Sequence, residues 1–523
     1  MGWIMKLPGR VSASVFFAWF LFGLASSAFG QTVENAVRFD ISPPFSSIQP
    51  VPKAQGAFLR EHRVKKLPPL PSKLAALADT VLQRAPAKKL QIQAVVPFDG
   101  VGQENYSISS DPPDTNGSVG RTHYVQWVNT GLAIFDKATR KPVPSMPKPV
   151  DGNLLWSGFG GNCEHYNDGD PIVLYDKAAD RWLLTQFAVT QPPFSQCIAV
   201  STSGDPTGTY ARYEYQFTDF NDYPKFGVWP DAYYGTFNMF QGNNFTGAKV
   251  CAFERTKMLA GAAARMQCFD LANQGGVLPS DLDGGTPPPI GAPNYLMNFG
   301  NDQLNVWKFH VDWTNPQSSI LAGPATIRTA PFEIACRNAP NPGECVKQPK
   351  TAEMLDTLSD RLMFRLAYRN FGNHESLVVN HSVVAGASSG VRWYEVRDPG
   401  GTPKIFQQGT FAPDGAFRWM ASIAMDKVGN MLMGYSVSSS TISPAIRFTG
   451  RSPSDPLNQM AIEQHAKEGT GSQNNPERWG DYASMSVDPD DDCTFWFSTQ
   501  YVAATGAYNW RTSIVPVKFS NCQ

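Results

Sequence analysis

Charged side chains recur close to the first strand of several predicted β-hairpins, and their types suit ligand binding or proton transfer. When the hairpins are aligned on their first turn, Asp114, Asp170 and Lys225 fall at equivalent positions. The later hairpins supply Arg365, Arg418, Arg478, Asp481 and Tyr482. We expect these side chains to surround one funnel, because the starts of the first strands converge on an axis when repeated hairpins pack radially.

Such a ring could do two kinds of chemistry. Arginine binds carboxylate, sulfate or phosphate through paired N–H groups, and two carboxyl groups can share the acid and base work of glycoside hydrolysis. In a lyase, Tyr482 or His123 could accept a proton while an arginine stabilises the charge that develops on a uronate. The candidate ligand is therefore a glycan or another anionic molecule.

The same residues also fit structural roles. Asp114 and Asp170 could each cap a turn through their side-chain oxygens. Arg418 and Arg478 each precede a tryptophan in the sequence, and such pairs can stack between sheets. The spacing leaves both interpretations open.

A dense acidic turn is a candidate metal site. Asp488, Asp490, Asp491 and Asp492 could hold Ca²⁺ through carboxylate oxygens, or they could simply be solvated. No CxxC or HxxxH spacing predicts zinc, and the sequence contains no glycine-rich phosphate loop and no GxSxG nucleophile motif. We expect no cofactor, with calcium at this turn as the alternative.

The elements that must position these residues are seven predicted hairpins. From about residue 106, a strand, a Gly/Asp/Asn turn and a second strand recur down the chain. The hairpins are NGSVGRTHYVQWVN, DPIVLYDKAADRWLLTQF, FGVWPDAYYGTFN, LMNFGNDQLNVWKF, LMFRLAYRNFGNHESLVVNHSV, MASIAMDKVGNMLMGYSVSS and YASMSVDPDDDCTFWFSTQY. A third strand follows each one. Because sheets packed radially bury both faces, this repeat predicts an all-β, seven-bladed β-propeller, with six blades plus a flanking sheet as the alternative.

Two features predict how the ring closes. Cys493 and Cys522 would tie the final strand to the last hairpin, and LQIQAVVPF from Leu90 would add a strand to the same blade. The mean spacing of about 60 residues is longer than that of compact propeller repeats. We therefore expect insertions between blades, the clearest of them from Leu271 to Pro293.

Composition limits the classes of function. The formal net charge is −1 and only 17% of residues are charged, so no overall field favours nucleic acid or anionic lipid as a partner. Aromatic residues make up 12%, with 44 Gly and 42 Pro, which is typical of short strands joined by turns. After residue 30 no stretch approaches the roughly 20 apolar residues of a membrane helix. We expect no membrane span in the mature chain.

Two segments are predicted ahead of the propeller, which takes residues 96–523. Lys6 and Arg10 precede an apolar run from Val11 to Leu24, and this pattern predicts a signal peptide over residues 1–30. Residues 31–95 are Pro-rich and are predicted to form an extension with one short helix, from Ser72 to Arg84. The chain is therefore predicted to be secreted, either extracellular or periplasmic.

Eight cysteines follow the signal sequence as neighbouring couples. They are Cys163 with Cys197, Cys251 with Cys268, Cys336 with Cys345, and Cys493 with Cys522. An even number of cysteines after an export signal predicts disulfides. Proximity favours these four pairs among the many that eight cysteines allow.

Several motifs carry a family resemblance. PPDTNGSVG, GDPIVLYD, DYPKFGVWPDAYY and RWGDYASMSVDPDDDCTFW resemble those of an uncharacterised family of secreted bacterial β-propeller proteins, over residues 106–522. More distantly, the arrangement resembles sialidase-like propellers, which implies arginines that grip a carboxylate and Asp boxes of the form SxDxGxxW. SGDPTGTY, from Ser203 to Tyr210, approaches that box, with its Gly one place late and Tyr in place of Trp.

These observations lead to two hypotheses. The first is a propeller that binds, and could process, an extracellular glycan or other anionic ligand on its funnel face. The second is a non-catalytic scaffold that presents loops such as 271–293 to a surface protein. Fold alone does not decide between them.

Overall fold

The computed structural model describes residues 1–3, 30–49, 60–61, 65–71, 73, 77–86, 88–108, 110–475 and 477–523. Within these ranges the secondary structure is almost entirely β. The helices found there are short: α-helices at Gly161–His165 and Arg255–Leu259, and 3-10 helices at Phe45–Ser47, Gly152–Trp156 and Pro316–Ser318. The predicted all-β class is confirmed.

Antiparallel four-stranded units, named sheets 1–7 here, follow one another along the described chain. Sheet 1 contains Asn116–Val119, His123–Val128, Gly131–Asp136 and Val150–Asp151; sheet 2 contains Gly169–Asp176, Arg181–Ala188, Phe194–Ser201 and Tyr210–Phe217. Sheet 3 contains Phe220–Val228, Tyr233–Gln241, Asn244–Phe253 and Arg265–Leu271; sheet 4 contains Leu278–Asp283, Asn294–Gly300, Gln303–His310 and Ile320–Arg328. Sheet 5 contains Met363–Asn370, Glu375–Ala385, Ser388–Arg397 and Lys404–Phe411; sheet 6 contains Phe417–Met425, Met431–Ser438, Ala445–Arg451 and Gln464–Lys467. Sheet 7 contains Ser484–Val487, Thr494–Val502 and Trp510–Lys518, with Phe98–Gly102 at its outer edge.

The first strand of each sheet lies innermost. The strands Gly169–Asp176, Leu278–Asp283 and Phe417–Met425 are buried at every residue, as expected for strands covered on both faces. Each first strand contacts the first strand of the next sheet, and that of sheet 7 contacts that of sheet 1. This closed ring is the architecture of a β-propeller.

The ring is closed by a strand from the beginning of the chain. Phe98 pairs with Ile514 in the third strand of sheet 7, and Ile92 makes an isolated bridge to Phe519. The predicted closing segment from Leu90 therefore reaches sheet 7, although its regular strand begins only at Phe98. One sheet is thus built from both ends of the propeller sequence.

Sheet 4 corrects one part of the sequence interpretation. The segment from Leu271 to Pro293, predicted as an insertion, contains the innermost strand Leu278–Asp283. The hairpin LMNFGNDQLNVWKF forms the second and third strands instead of the first two. The inner strand pairs in parallel with sheet 5, Ser280 opposite Leu366, so no hairpin signature marks it. The longest connection lies between sheets 4 and 5, and it carries the short strands Glu344–Val346 and Leu355–Asp356.

Residues before the propeller cover its outer edges. Gln31–Asn35, Arg38–Ile41 and Leu82–Gln83 pair with the outermost strands of sheets 3, 2 and 5. Two further short strands, Arg60–Glu61 and Ser110–Asp111, pair in parallel. Covering a sheet edge in this way removes a template for aggregation.

The helix predicted from Ser72 to Arg84 is wrong in its described part. Residues 77–84 form no helix, and Leu82–Gln83 is a strand instead. The backbone N–H of Thr410 donates to the carbonyl oxygen of Val81, so pairing with sheet 5 outweighs the local helical pattern. Tertiary contacts commonly override propensity in this way.

The four predicted disulfides are all present: Cys163–Cys197, Cys251–Cys268, Cys336–Cys345 and Cys493–Cys522. Disulfides of this kind are typical of an oxidising compartment, outside the cell or in the periplasm. Among the residues that the structure describes, no helix combines the length and the apolar character needed to cross a membrane. The predicted signal peptide lies almost wholly outside the described ranges.

Candidate functional site

The beginnings of the inner strands bring a set of polar side chains to one end of the propeller axis. We call this set the axial cluster. It consists of Asp114, Asp170, Asp222, Tyr223, Lys225, Asp356, Arg361, Arg478, Asp481 and Tyr482. Six of the eight residues predicted from the sequence belong to it.

β-Bulges aim these side chains at the axis. In sheet 2 the pairing register shifts between Gly169 and Ile172, and Asp170 has a φ of 47°. In sheet 3 the register shifts between Asp222 and Lys225, and Tyr223 has a φ of 54°. A bulge re-aims side chains next to a site, and left-handed backbone at non-glycine residues is a form of strain that clusters at functional sites.

Asn129 connects Asp114 and Asp170, two residues of the cluster. Its Nδ2 donates to Asp114 Oδ2 at 2.6 Å, and its Oδ1 accepts the backbone N–H of Asp170 at 2.8 Å. The other oxygen of Asp114 accepts the backbone N–H of Asp481 at 2.7 Å. Asp114 therefore does more than cap its own turn, because it joins the starts of sheets 1 and 7.

Burial shifts the carboxyl groups towards their neutral form. Desolvation raises the pKa of Asp170 to about 6, and the negative charge of Asp481 adds to this effect. Desolvation and the charge of Asp170 raise the pKa of Asp222 to about 8. Burial also raises the pKa of Asp114 well above its ordinary value. A carboxylic acid that is protonated near neutral pH is suited to donate a proton.

Lys225 lies between two aromatic rings. Its Nζ is 3.5 Å from the ring centroid of Tyr223 and 3.9 Å from that of Tyr482, and it donates to the carbonyl oxygen of Pro224 at 2.9 Å. Desolvation lowers the pKa of Lys225 to about 8, although the neighbouring Asp170 opposes this change. The ammonium is thus held by ring faces and nearby carboxyl groups.

The two arginines of the cluster are bonded to carboxylates. Arg478 donates to Asp481 at 2.6 Å and to Asp356 at 3.4 Å. Arg361 donates to Asp360 at 2.7 Å, and its guanidinium lies 4.4 Å from the ring centroid of Tyr223. Both arginine side chains are almost fully buried.

Two predicted site residues lie elsewhere, which corrects the expectation of one ring. Arg365 is placed further along the axis, where it donates to Asp281 at 3.1 Å and Asp283 at 2.6 Å. Arg418 is fully buried against sheet 6 and donates to Asp414 at 2.8 Å and to Glu463 at 2.9 Å. Their alignment in sequence did not reveal that their side chains point away from the cluster.

The proposed proton acceptors also change. His123 begins the second strand of sheet 1, at the opposite end of that sheet from Asp114. The hydroxyl of Tyr482 donates to the carbonyl oxygen of Pro171 at 3.1 Å, and burial raises its pKa well above the ordinary value. Neither residue is placed to accept a proton readily, so the carboxyl groups are the better candidates.

The acidic turn at residues 488–492 is held by cations of the protein. The carboxylates of Asp488 and Asp490 accept from Lys137, at 3.0 and 2.6 Å. Asp491 accepts from Lys518, and Asp492 from Arg369. Within the described residues no group of three or more His, Cys, Asp or Glu side chains is arranged to hold a metal ion.

Sequence reasoning missed Asn129, Asp222, Tyr223, Asp356 and Arg361. Asp222 and Tyr223 directly precede Pro224 and Lys225, so the motif DYPK could have drawn attention to them. The others lie outside the aligned hairpin starts. Arg361 and Asp356 come from the long connection before sheet 5.

No family model and no curated protein matches this chain. Among solved structures, it is similar to a protein of unknown function from Dyadobacter fermentans, with 9% identity, a TM-score of 0.36, and coverage of 67% of this chain and 94% of that one. It is also similar to the phage phi92 endosialidase, with 7% identity, a TM-score of 0.38, and coverage of 82% and 69%. A PL25 ulvan lyase bound to -[GlcA(1-4)Rha3S]- has 12% identity, a TM-score of 0.33, and coverage of 79% and 97%. These similarities are remote.

Proposed function

We propose that the protein binds a glycan at the axial cluster and cleaves it by proton transfer from a carboxyl group. The observation that carries this proposal is the position of Asp222 beside Asp170 at the funnel end of the axis, with pKa values raised to about 8 and about 6. Two carboxyl groups with separated pKa values are the usual arrangement for acid and base roles.

The charges of the cluster favour a neutral sugar over an anion. The arginines already bind carboxylates, and Lys225 is enclosed by two tyrosine rings. The hydroxyl groups of a neutral sugar can instead donate to carboxylates such as that of Asp481. A carboxylate-bearing ligand would have to displace existing ion pairs.

The chemistry follows from these positions. Asp222 gives its proton to the glycosidic oxygen as the bond from that oxygen to the anomeric carbon breaks. The carboxylate of Asp170, whose pKa of about 6 leaves it largely ionised at neutral pH, takes a proton from a water molecule, whose oxygen forms the new bond to the anomeric carbon. The two carboxyl groups then exchange protons with solvent and return to their starting states.

The test is a screen against arabinan, galactan, xylan, polygalacturonate and alginate, with new reducing ends as the readout. We expect a neutral polysaccharide to be cleaved, and Asp222→Asn to lose cleavage at least a hundredfold while binding changes little. Asp270→Asn, on an exposed carboxylate paired with Lys249, is the matched control. The proposal fails if Asp222→Asn cleaves as well as the unmodified protein, or if no polysaccharide is bound.

One observation supports the alternative that the protein is a scaffold for contact with a surface protein. Residues 284–293, GGTPPPIGAP, form a loop after the inner strand of sheet 4, and Ile290 on it is fully exposed. An exposed apolar side chain on a proline-rich loop suits contact with another protein. An Ile290→Asp variant that loses a surface-protein partner while keeping glycan cleavage would support this second role.

A further inference from the structure

A cavity lies at the end of the axis opposite the axial cluster. It has a volume of about 290 Å³ and is formed where the inner strands of sheets 2, 3 and 4 end. Its walls are largely apolar and include Val228, Trp229, Pro230, Leu282, Pro287 and Pro489. This volume is close to the lower end of the range for small-molecule sites, about 300 to 1,000 Å³.

Lys177 stands at the base of this cavity. It follows the inner strand of sheet 2, and its side chain is only 16% exposed. Its Nζ lies 3.7 Å from Asp283 Oδ1, a carboxylate that already accepts from Arg365 at 2.6 Å. The described residues provide Nζ with no acceptor at hydrogen-bonding distance. A mostly buried ammonium without an acceptor is costly, which points to a ligand that supplies one.

The other charges around the cavity are already engaged. Arg255 donates to both oxygens of Asp176, at 2.6 and 3.0 Å. Arg121 donates to Asp490 at 3.1 Å. Among the described cations that line this cavity, Lys177 is therefore the one that is both mostly buried and without an acceptor at hydrogen-bonding distance, whereas the side chain of Arg121 is half exposed to solvent.

Side chains in the middle of the propeller axis separate this cavity from the axial cluster. There, Arg365 is bonded to Asp281 and Asp283, and the remaining space, about 20 Å³, is no larger than a water molecule needs. A ligand in one end of the propeller does not touch a ligand in the other. This cavity is thus independent of the proposed glycan site.

We propose that this cavity binds a small molecule with an apolar body and one anionic group, which docks on the ammonium of Lys177. The prolines and Trp229 pack against the body, and Lys177 donates to a carboxylate or sulfonate oxygen. A charge-assisted hydrogen bond in a mostly apolar pocket gives such a ligand its orientation.

Two dyes that differ only by the anionic group provide the test. 8-Anilinonaphthalene-1-sulfonate carries a sulfonate, and N-phenyl-1-naphthylamine is the same aromatic body without it. We expect both to bind the folded protein at one saturable site, followed by fluorescence. Lys177→Met should weaken binding of the sulfonate at least tenfold and leave the neutral dye unchanged.

A second variant tests the site without changing Lys177, so that the result does not depend on how Lys177→Met folds. Ala178→Trp fills the cavity from an exposed position on its wall and should abolish binding of both dyes. Asp222→Asn, at the other end of the axis, should change neither. The proposal is overturned if Lys177→Met binds the sulfonate like the unmodified protein, if Ala178→Trp still binds both dyes, or if binding is not saturable.

Discussion

The backbone N–H of Asp481 donates to Oδ1 of Asp114 over 2.7 Å, and this bond joins the start of sheet 7 to the start of sheet 1. The seam at which the ring closes therefore passes through the axial cluster. Arg478, bonded to the same Asp481, extends this connection into the long loop before sheet 5. The geometry of the candidate site depends on ring closure.

Asp114→Ala should weaken both the fold and the site. The substitution removes the acceptors of the Asp481 N–H and of Asn129, and leaving these buried donors unpaired costs about 2–4 kcal/mol of unfolding free energy. Urea denaturation measures this loss, and glycan binding should fall at least tenfold. Asp270→Ala, which removes an exposed ion pair, should cost about 0.5 kcal/mol or less. Equal losses in the two variants would contradict the assignment.

Substitutions of Arg418 and Arg478 should have similar effects on stability but different effects on glycan binding. Both are buried and paired with carboxylates, so Arg418→Met and Arg478→Met should each lower the unfolding free energy by about 3–5 kcal/mol. Only Arg478→Met removes a side chain of the axial cluster. We expect its glycan affinity to fall at least tenfold, while Arg418→Met binds normally at a temperature where it is folded. Isothermal titration calorimetry distinguishes the two results.

Asp222 should make both stability and cleavage depend on pH. Its pKa rises from an ordinary 3.8 to about 8 in the folded protein, so the folded state binds the proton more tightly than the unfolded state. The unfolding free energy should therefore fall as pH rises from about 4 to 8. Asp222→Asn removes this dependence and should be the more stable variant at pH 9, by about 1 kcal/mol or more.

The pKa of Asp222 also predicts how the rate of cleavage depends on pH. Cleavage that needs the proton of Asp222 should decline above pH 8, because the acid is then ionised. A rate that keeps rising between pH 8 and 10 would show that another group donates the proton.

The disulfides should stabilise the protein by different amounts, according to the length of the loop that each one closes. Cys493–Cys522 spans 29 residues and Cys336–Cys345 spans 9. In the chain-entropy description, removing the first should cost about 3–4 kcal/mol and the second about 2–3 kcal/mol. Paired Cys→Ala variants, compared by thermal and urea unfolding, check this order. The reverse order would show that native contacts, rather than loop entropy, dominate.

The repeat could be predicted because its signals are local. A strand, a tight turn and a second strand follow one another directly in the sequence at the starts of sheets 1, 2, 3, 5, 6 and 7, so these six hairpins could be predicted. The inner strand Leu278–Asp283 was missed because it pairs in parallel with another sheet and has proline within it. The strands before residue 90 were missed for a similar reason, since their partners lie far away in the sequence.

The candidate site was predicted in part for the same physical reason. Alignment on the first turn identified Asp114, Asp170 and Lys225, because position along the inner strand is a local property. The direction in which a side chain points depends instead on β-bulges and on the residues packed around it, which the alignment does not show. That is why Arg418 points along sheet 6 to Glu463, whereas Asp222, which no alignment selected, lies in the cluster.

The closing strand also sets an order of events during synthesis. Phe98 and Ser513 are joined by a hydrogen bond although 415 residues separate them, so the strand Phe98–Gly102 leaves the ribosome long before its partner exists. Contacts of such long range form late and slowly. Until Trp510–Lys518 has been made, sheet 7 keeps an open edge, and a partly synthesised chain exposes a pairing surface to its neighbours. Completion of the ring is therefore a late step, and until it occurs the open edge of sheet 7 can pair wrongly with another chain.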